Sequence, residues 1–397
     1  MSISKSITIA LIAANVFNFS CSETKSSAQH KEQPKKQNTS VKQDANTNYQ
    51  PVADEKITST FQAVEVSDAG TNPAIVKGLH LCTKWRGTLD AEALKNPDLT
   101  TVTLFAYWSD LNPAKGQYNW ERLDGELNRF VAAGKNIGIS IAAGGKSPEW
   151  IYNEGVRHFT YTEFQHQGKG KKSTVEQSVV YDKAYIELYS KFIRDLAAHM
   201  KQQKYWSRLV LIGGSGINQS TAELHLPAQV NKEQNGEKSS DAVALWKQFD
   251  YDPNKVISAF KQIMNVVAES FPNRIMVIPV FNMQQTAFPQ IGTAQVGLEC
   301  LTWMKQTYPN RMAAKFTVLQ ANYTPKGFVK QLLDMGIPVG YQLSQIRLED
   351  NADDADFQQA IQAGIDANAL FIEVFPANAK KFQSSIKKLS PKVQYRK

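Results

Sequence analysis

The fold class predicted for this chain of 397 residues is α/β, as a (β/α)8 barrel. Three observations predict it. Eight apolar runs rich in β-branched and aromatic residues occupy residues 75–376, and seven of them are followed by a helical run. Strands alternating with helices imply right-handed βαβ units and a parallel sheet. A doubly wound open sheet is the rival, but the glycine-rich first turn that usually marks it is missing after the first run.

In chain order the strand runs are Ile75–Trp85, Thr101–Trp108, Asn136–Ala143, Ser207–Gly214, Arg274–Phe281, Lys315–Ala321, Ile337–Gln342 and Leu370–Phe375. The helical runs include Trp120–Ala133, Lys183–Gln202, Val256–Phe271, Gly297–Tyr308, Gly327–Met335 and Asp356–Ala367. Each carries apolar residues at the three-to-four spacing of a helix packed on one face. In a closed barrel of this kind, chemistry sits at the C-terminal ends of the strands. That confines the search to eight short segments.

Three regions follow: 1–21, a lipoprotein-type signal peptide; 22–72, a polar tether; and 73–397, the barrel. Lys5, the apolar stretch Ile7–Phe17 and then Phe19-Ser20-Cys21 have the layout of a secretory signal, too short to span a membrane. A cysteine at the cleavage point resembles a bacterial lipoprotein signal, with Cys21 as the lipidated residue, although Asn18 stands where that family prefers a small aliphatic residue. Residues 22–72 are rich in Ser, Lys, Gln, Asn and Thr, with too little apolar surface to offset chain entropy. An exported barrel held near a bacterial membrane by a lipid is the expectation. Cys82 and Cys300 are expected as buried free thiols, and no Cys/His spacing suggests a metal.

The net charge of +8 is mild, and part of it lies in Lys380–Lys397, expected as a solvated tail. No basic stripe interleaved with aromatics speaks for nucleic acid. Lys169-Gly170-Lys171-Lys172 lies in the long connection after the third strand, on the catalytic side, where it could attract an acidic glycan. No oligomeric state is implied.

Aromatic residues cluster at strand ends. Trp85 and Trp108 end the first two runs, and Trp150 follows the third in Ser147-Pro148-Glu149-Trp150. Flat apolar faces at a barrel mouth suit the CH-rich faces of pyranose rings. The second strand continues as Trp108-Ser109-Asp110-Leu111-Asn112-Pro113-Ala114-Lys115-Gly116-Gln117-Tyr118-Asn119-Trp120 and then Leu123-Asp124, with Asn119 placed to cap the next helix. This segment resembles the second βα unit of β-galactosidase-like retaining glycoside hydrolases. Gly134-Lys135 leading to Ile139-Ser140, and Tyr181-Asp182-Lys183-Ala184-Tyr185 opening a long helix, extend the resemblance. It covers most of the barrel diffusely and implies a superfamily, not a substrate.

The resemblance implies an acid/base Glu after an Asn at the end of the fourth strand, and a nucleophile Glu on the seventh. Here Asn218 is followed by Gln219, and the seventh run ends in Gln342. A neutral amide can neither attack nor give up a proton at neutral pH. Two other glutamates are well placed. Glu223 lies four residues past Gln219, and Glu373 stands within Phe371-Ile372-Glu373-Val374-Phe375. On a strand, Phe371, Glu373 and Phe375 share a face, and a carboxyl packed against helices would be costly, so Glu373 should point into the lumen.

Glycoside hydrolysis needs two carboxyls flanking the bond, one of them protonated. Burial favours the protonated form and would suit Glu373 as acid. By position, though, Glu223 takes the acid/base place, and that assignment is preferred, with Glu373 as the second carboxylate. Supporting groups expected around the sugar are Asp110, Asn218, Asn282, Gln320, Tyr323 and Gln342, with His80 and Asn322 alongside. The long loop from Gln219 to Pro253, which holds Trp246, is expected to act as a lid or subsite wall. No metal or organic cofactor is required. The alternative is a catalytically inactive barrel that binds glycans at the cell surface. Non-sugar chemistry would need a lysine or metal, and Lys84 is the strand-end lysine in view.

Overall fold

The computed structural model describes residues 76–84, 89–164, 172–231, 233–234, 236–281, 294–344 and 352–394. The signal and tether, Cys21, Trp85, Asn282 and Lys169–Lys171 lie outside the described residues.

Eight parallel strands close into a barrel. They are β1 (Gly78–Lys84), β2 (Leu99–Tyr107) and β3 (Asn136–Ala142). After two strands of a hairpin, β4 (His158–Phe164) and β5 (Lys172–Ser178), comes β6 (Leu209–Gly213). A two-residue pair, β7 (Glu233–Gln234) and β8 (Glu237–Lys238), precedes β9 (Ile275–Val280). The barrel ends with β10 (Met312–Leu319), β11 (Val339–Leu343) and β12 (Phe371–Val374). In space the order is β1-β12-β11-β10-β9-β6-β3-β2. The eight expected strands are these eight, with ends shifted by up to three residues.

Six helices match the expected runs: Trp120–Ala132, Lys183–Met200, Pro253–Ser270, Ala294–Thr307, Gly327–Asp334 and Asp354–Asp366. Lys183–Met200 starts where the Asp182 carboxylate accepts the Ala184 N–H, and Pro253 opens its helix behind Asp252 in the same way. Asn119 differs. It flanks the helix at Trp120 without a side-chain cap bond, because its amide donates instead to the Asp110 carbonyl. The run from Lys380 is also not a simple solvated tail: it is helical through Gln394 and buries Ile386, Leu389 and Val393. Among the described residues, no helix is long and apolar enough to cross a membrane.

Two apolar bodies hold the barrel. One is the layer between strands and helices, running from Leu79 to Val393. The other plugs the lower lumen, where Leu211, Val277, Ala313 and Phe371 meet from four strands. The Phe371 ring crosses the lumen so closely that a Cβ on Gly340 would lie 2.2 Å from it. His80 stacks on the same ring at 4.7 Å. Everything above that plug, toward the C-terminal ends of the strands, is room for a site.

Candidate functional site

Above the plug lies a cavity of about 400 Å3. Strand ends supply Cys82, Lys84, Thr103, Phe105, Tyr107, Ser140, Pro279, Lys315, Thr317 and Gln342. The segments after β6 and β12 supply Thr221, Ala222, Glu223 and Phe375. Phe105, Tyr107 and Phe375 make one part of the wall apolar and aromatic. Thr103 and Ser140 bring hydroxyls with no hydrogen-bond partner among the described residues.

Glu223 is half-buried in this lining, and its carboxylate makes no hydrogen bond among the described residues. What is fixed is the backbone beneath it. Asn218 is fully buried, and its amide donates to the carbonyls of Ala222 (2.8 Å) and Glu223 (3.0 Å). The Asn218 Oδ1 accepts the Ala143 N–H from the end of β3. Gly144 follows with φ of +51°, and a Cβ there would meet the Asn218 carbonyl at 1.9 Å. Glycine is therefore required for the β3 turn to pack this closely against the loop that carries Glu223. His225 Nδ1 contacts the Glu223 carbonyl at 3.1 Å. Burial lowers the pKa of its imidazole, against the opposing pull of Glu223.

Glu373 points into the lumen as its strand position predicts, but it does not stand alone. Lys315 of β10 donates to its Oε2 at 2.8 Å, and the two side chains are 6% and 1% exposed. Burial works against the charge of Lys315. The Glu373 carboxylate, Cys82 and Glu223 together more than offset this, so the ammonium pKa is raised above the ordinary lysine value. The lumen thus holds an ion pair, where the sequence suggested neutral polar groups around a lone carboxyl. Lys315 forms part of the cavity lining, and Glu373 sits behind it. Deeper still, burial pushes His80 down to about 3, and Lys315 adds to this, so its imidazole is neutral.

Gln342 lines the cavity and donates to the Cys82 sulfur at 3.3 Å. Cys82 and Cys300 are both buried free thiols. Gln219 turns toward the β4–β5 hairpin instead and donates to Glu163 at 2.8 Å, beside a bond from Ser220 to the same carboxylate. The hairpin in turn binds the long loop, where Ser240 bonds Thr162 through backbone and hydroxyl. Trp246 anchors that loop as a buried residue against Phe159, with its indole N–H on the Pro227 carbonyl. Of that loop, Thr221, Ala222 and Glu223 line the cavity.

Several expected sugar contacts lie elsewhere. Trp108 is fully buried between Tyr185, Tyr189 and Phe192, because the chain turns into a short helix (Trp108–Leu111) and carries the indole into the helix layer. Trp150 packs edge-on against Trp108 and donates to the Asn112 carbonyl. Asp110 is buried on that same short helix, away from the cavity lining. Tyr323 stacks on Phe316 at 4.8 Å, on the helix-facing side of β10, and Gln320 bonds it through the backbone. Lys315 was missed by sequence reasoning, although a lone lysine between Ala314 and Phe316 on a barrel strand carries the same signal as Glu373. Among the described residues, no group of three His, Cys, Asp or Glu could hold a metal.

The chain is similar to known carbohydrate-active proteins. Residues 83–209 match glycoside hydrolase family 42, described as beta-galactosidase. That match covers about a third of the chain and stops short of Glu223, Lys315 and Glu373. No curated protein matches the chain. Xylanase 10B from Thermotoga maritima is similar at 10% identity, over 82% of this chain and 98% of that one, with a TM-score of 0.46. A xylanase of Thermoanaerobacterium saccharolyticum, solved with xylotriose, is 11% identical over 76% and 85%, with a TM-score of 0.43. Beta-galactosidase from Marinomonas ef1 is 11% identical over 75% of this chain and 53% of that one, with a TM-score of 0.45.

Proposed function

We propose that this protein is a glycoside hydrolase acting in the cavity at the C-terminal ends of the barrel strands. The observation that carries the reading is Glu223: a carboxylate on the cavity wall, free of hydrogen bonds among the described residues, on a backbone pinned by Asn218. A general acid must reach the leaving oxygen, and a carboxylate open to the cavity can do so. Glu223 donates its proton to the glycosidic oxygen as the bond breaks. Glu373 is the second carboxylate, aimed into the lumen and paired with Lys315. Phe105, Tyr107 and Phe375 supply apolar faces for the ring, and Thr103 and Ser140 supply hydroxyls.

Export through the segment ending at Cys21, with lipidation there, belongs to the same proposal and rests on the sequence alone. A second reading, glycan binding without hydrolysis, is favoured by one observation: Glu373 is 1% exposed and committed to Lys315. Release of reducing sugar by the full chain across neutral and acidic glycans separates the two. Glu223→Gln should lower turnover at least ~10²-fold while the fold is retained. Binding without hydrolysis by the wild type would leave the binding reading standing.

A further inference from the structure

The bonds around residues 218–224 show how the chain fixes the place of Glu223 while its carboxylate faces the cavity. Beneath it, the Asn218 amide holds the carbonyls of Ala222 and Glu223. Just past it, the Leu224 N–H donates to the Pro279 carbonyl of β9 at 2.8 Å. The start of the segment is held from elsewhere, by the β4–β5 hairpin.

Gln177 of β5 is fully buried and donates to the Asn218 carbonyl at 3.2 Å. Glu163 of β4 then accepts from the next two residues. The Gln219 amide reaches one carboxylate oxygen at 2.8 Å, and the Ser220 hydroxyl reaches the other at 3.2 Å. Both bonds are charge-assisted, and a carboxylate that accepts on both oxygens fixes direction as well as distance. The Tyr161 hydroxyl stands 3.5 Å from the same carboxylate. Burial, with the charge of Glu163 adding to it, pushes the Tyr161 phenol up, so it stays a donor.

Glu163 sits on a braced strand. The neighbouring Thr162 is tied to Ser240, and Phe159 packs edge-on against Trp246. Beyond Ser220, Thr221 is exposed, and then Ala222 and Glu223 reach the cavity wall. The barrel does not depend on these side-chain bonds, because β3 and β6 pair directly beneath the hairpin. What the bonds set is the position of the turn that carries Glu223.

We propose that Glu163 is a positioning residue, acting through Gln219 and Ser220 to place the Glu223 carboxylate on the cavity wall. This rests on the hydrolase reading and names a hairpin residue on which turnover at that site depends.

The test uses the full chain and the member of a panel of neutral and acidic glycans that the wild type cleaves fastest. Urea unfolding is read beside the kinetics, so that kcat refers to folded protein. Glu163→Ala should lower kcat about tenfold or more and change KM by less than about threefold, since a group displaced by a fraction of an ångström loses turnover before binding. Gln219→Glu should do the same, because it sets two carboxylates side by side. The exchange of the two, Glu163→Gln with Gln219→Glu, restores an amide facing a carboxylate and should bring kcat to within about threefold of wild type. In a Glu223→Gln background, Glu163→Ala should lower the residual kcat by less than about twofold, because the group it positions is already gone. An unchanged kcat in Glu163→Ala, an exchange that regains stability without kcat, or a full further loss in the Glu223→Gln background each overturns the positioning role and leaves the hydrolase reading intact. If Glu163→Ala fails to fold, the exchange decides. Failure of the wild type to cleave any glycan overturns the hydrolase reading, and the positioning role with it.

Discussion

Replacing Lys315 by Met removes the cation from the lumen and leaves Glu373 buried without its partner. Breaking a buried pair from one side costs about 3–5 kcal/mol, because a charge is stranded. A stranded carboxylate has an escape, which is to take up a proton. At pH 7 that costs about 3.7 kcal/mol, from 1.36 kcal/mol for each pH unit above an unperturbed Glu value of about 4.3. The ceiling at pH 7 is therefore roughly 3.7 kcal/mol, and at pH 5.5 it falls to roughly 1.6 kcal/mol. The folded variant binds a proton that the unfolded chain does not, so its stability falls as pH rises over this window. Urea unfolding of wild type and Lys315→Met at the two pH values measures the difference directly. For a barrel of about 320 residues, the pH 7 loss corresponds to a melting shift of roughly 5 °C. Adding Glu373→Met should recover much of the loss, since an apolar pair of similar volume replaces the ion pair without stranding a charge. A loss below about 1 kcal/mol that does not change with pH, or a double variant no more stable than the single one, would show that the pair is not desolvated as described.

Asn218→Ala should act on the loop that carries Glu223. A buried and a part-buried carbonyl lose their donor, so stability should fall by about 1–3 kcal/mol, and kcat should drop more than KM rises because Glu223 is no longer held in place; steady-state kinetics with an unchanged kcat would remove Asn218 from that role. His80 makes the fold acid-sensitive. Its folded pKa is about 3, against an ordinary 6.5, so the unfolded chain binds the extra proton between those values and stability falls as pH drops through that window. Unfolding curves from pH 7 to 4 should be flatter for His80→Leu than for the wild type, by up to about 1.36 kcal/mol per pH unit.

The barrel was legible in the sequence because its strands are buried on both sides and so appear as continuous apolar runs at regular spacing. The β4–β5 hairpin was less visible. Its first strand does alternate, with Phe159 and Tyr161 buried and Thr160 exposed, but it is short and is followed by the charged stretch Lys169–Lys172. Trp108 marks a firmer limit. A tryptophan at a strand end can turn to the mouth or to the helix layer, and the choice depends on the aromatic row Tyr185, Tyr189 and Phe192, some 80 residues onward along the chain. No local pattern encodes that choice.

The same limit explains where resemblance and chemistry part. The segment from Trp108 to Asp124 resembles a βα unit of glycosidases, and in the structure it is scaffold. Asn112 ties its own turn through Ala114 and Gln117, and Asp124 accepts from Tyr205 and contacts His199. Such packing keeps the second and third strands in register whatever the barrel acts on. Glu223, Lys315 and Glu373 come from β6 onward, outside the matched residues, and they meet only once the barrel closes. Glu373 could be read from sequence because a carboxyl in an apolar strand must face inward. Lys315 obeys the same rule, since Ala313, Lys315 and Thr317 share the lumen face of β10. Two opposite charges aimed into one barrel lumen from β10 and β12 are each costly alone and tolerable together. An inward lysine on one barrel strand is therefore a reason to look for an inward acid on another, before any resemblance is consulted.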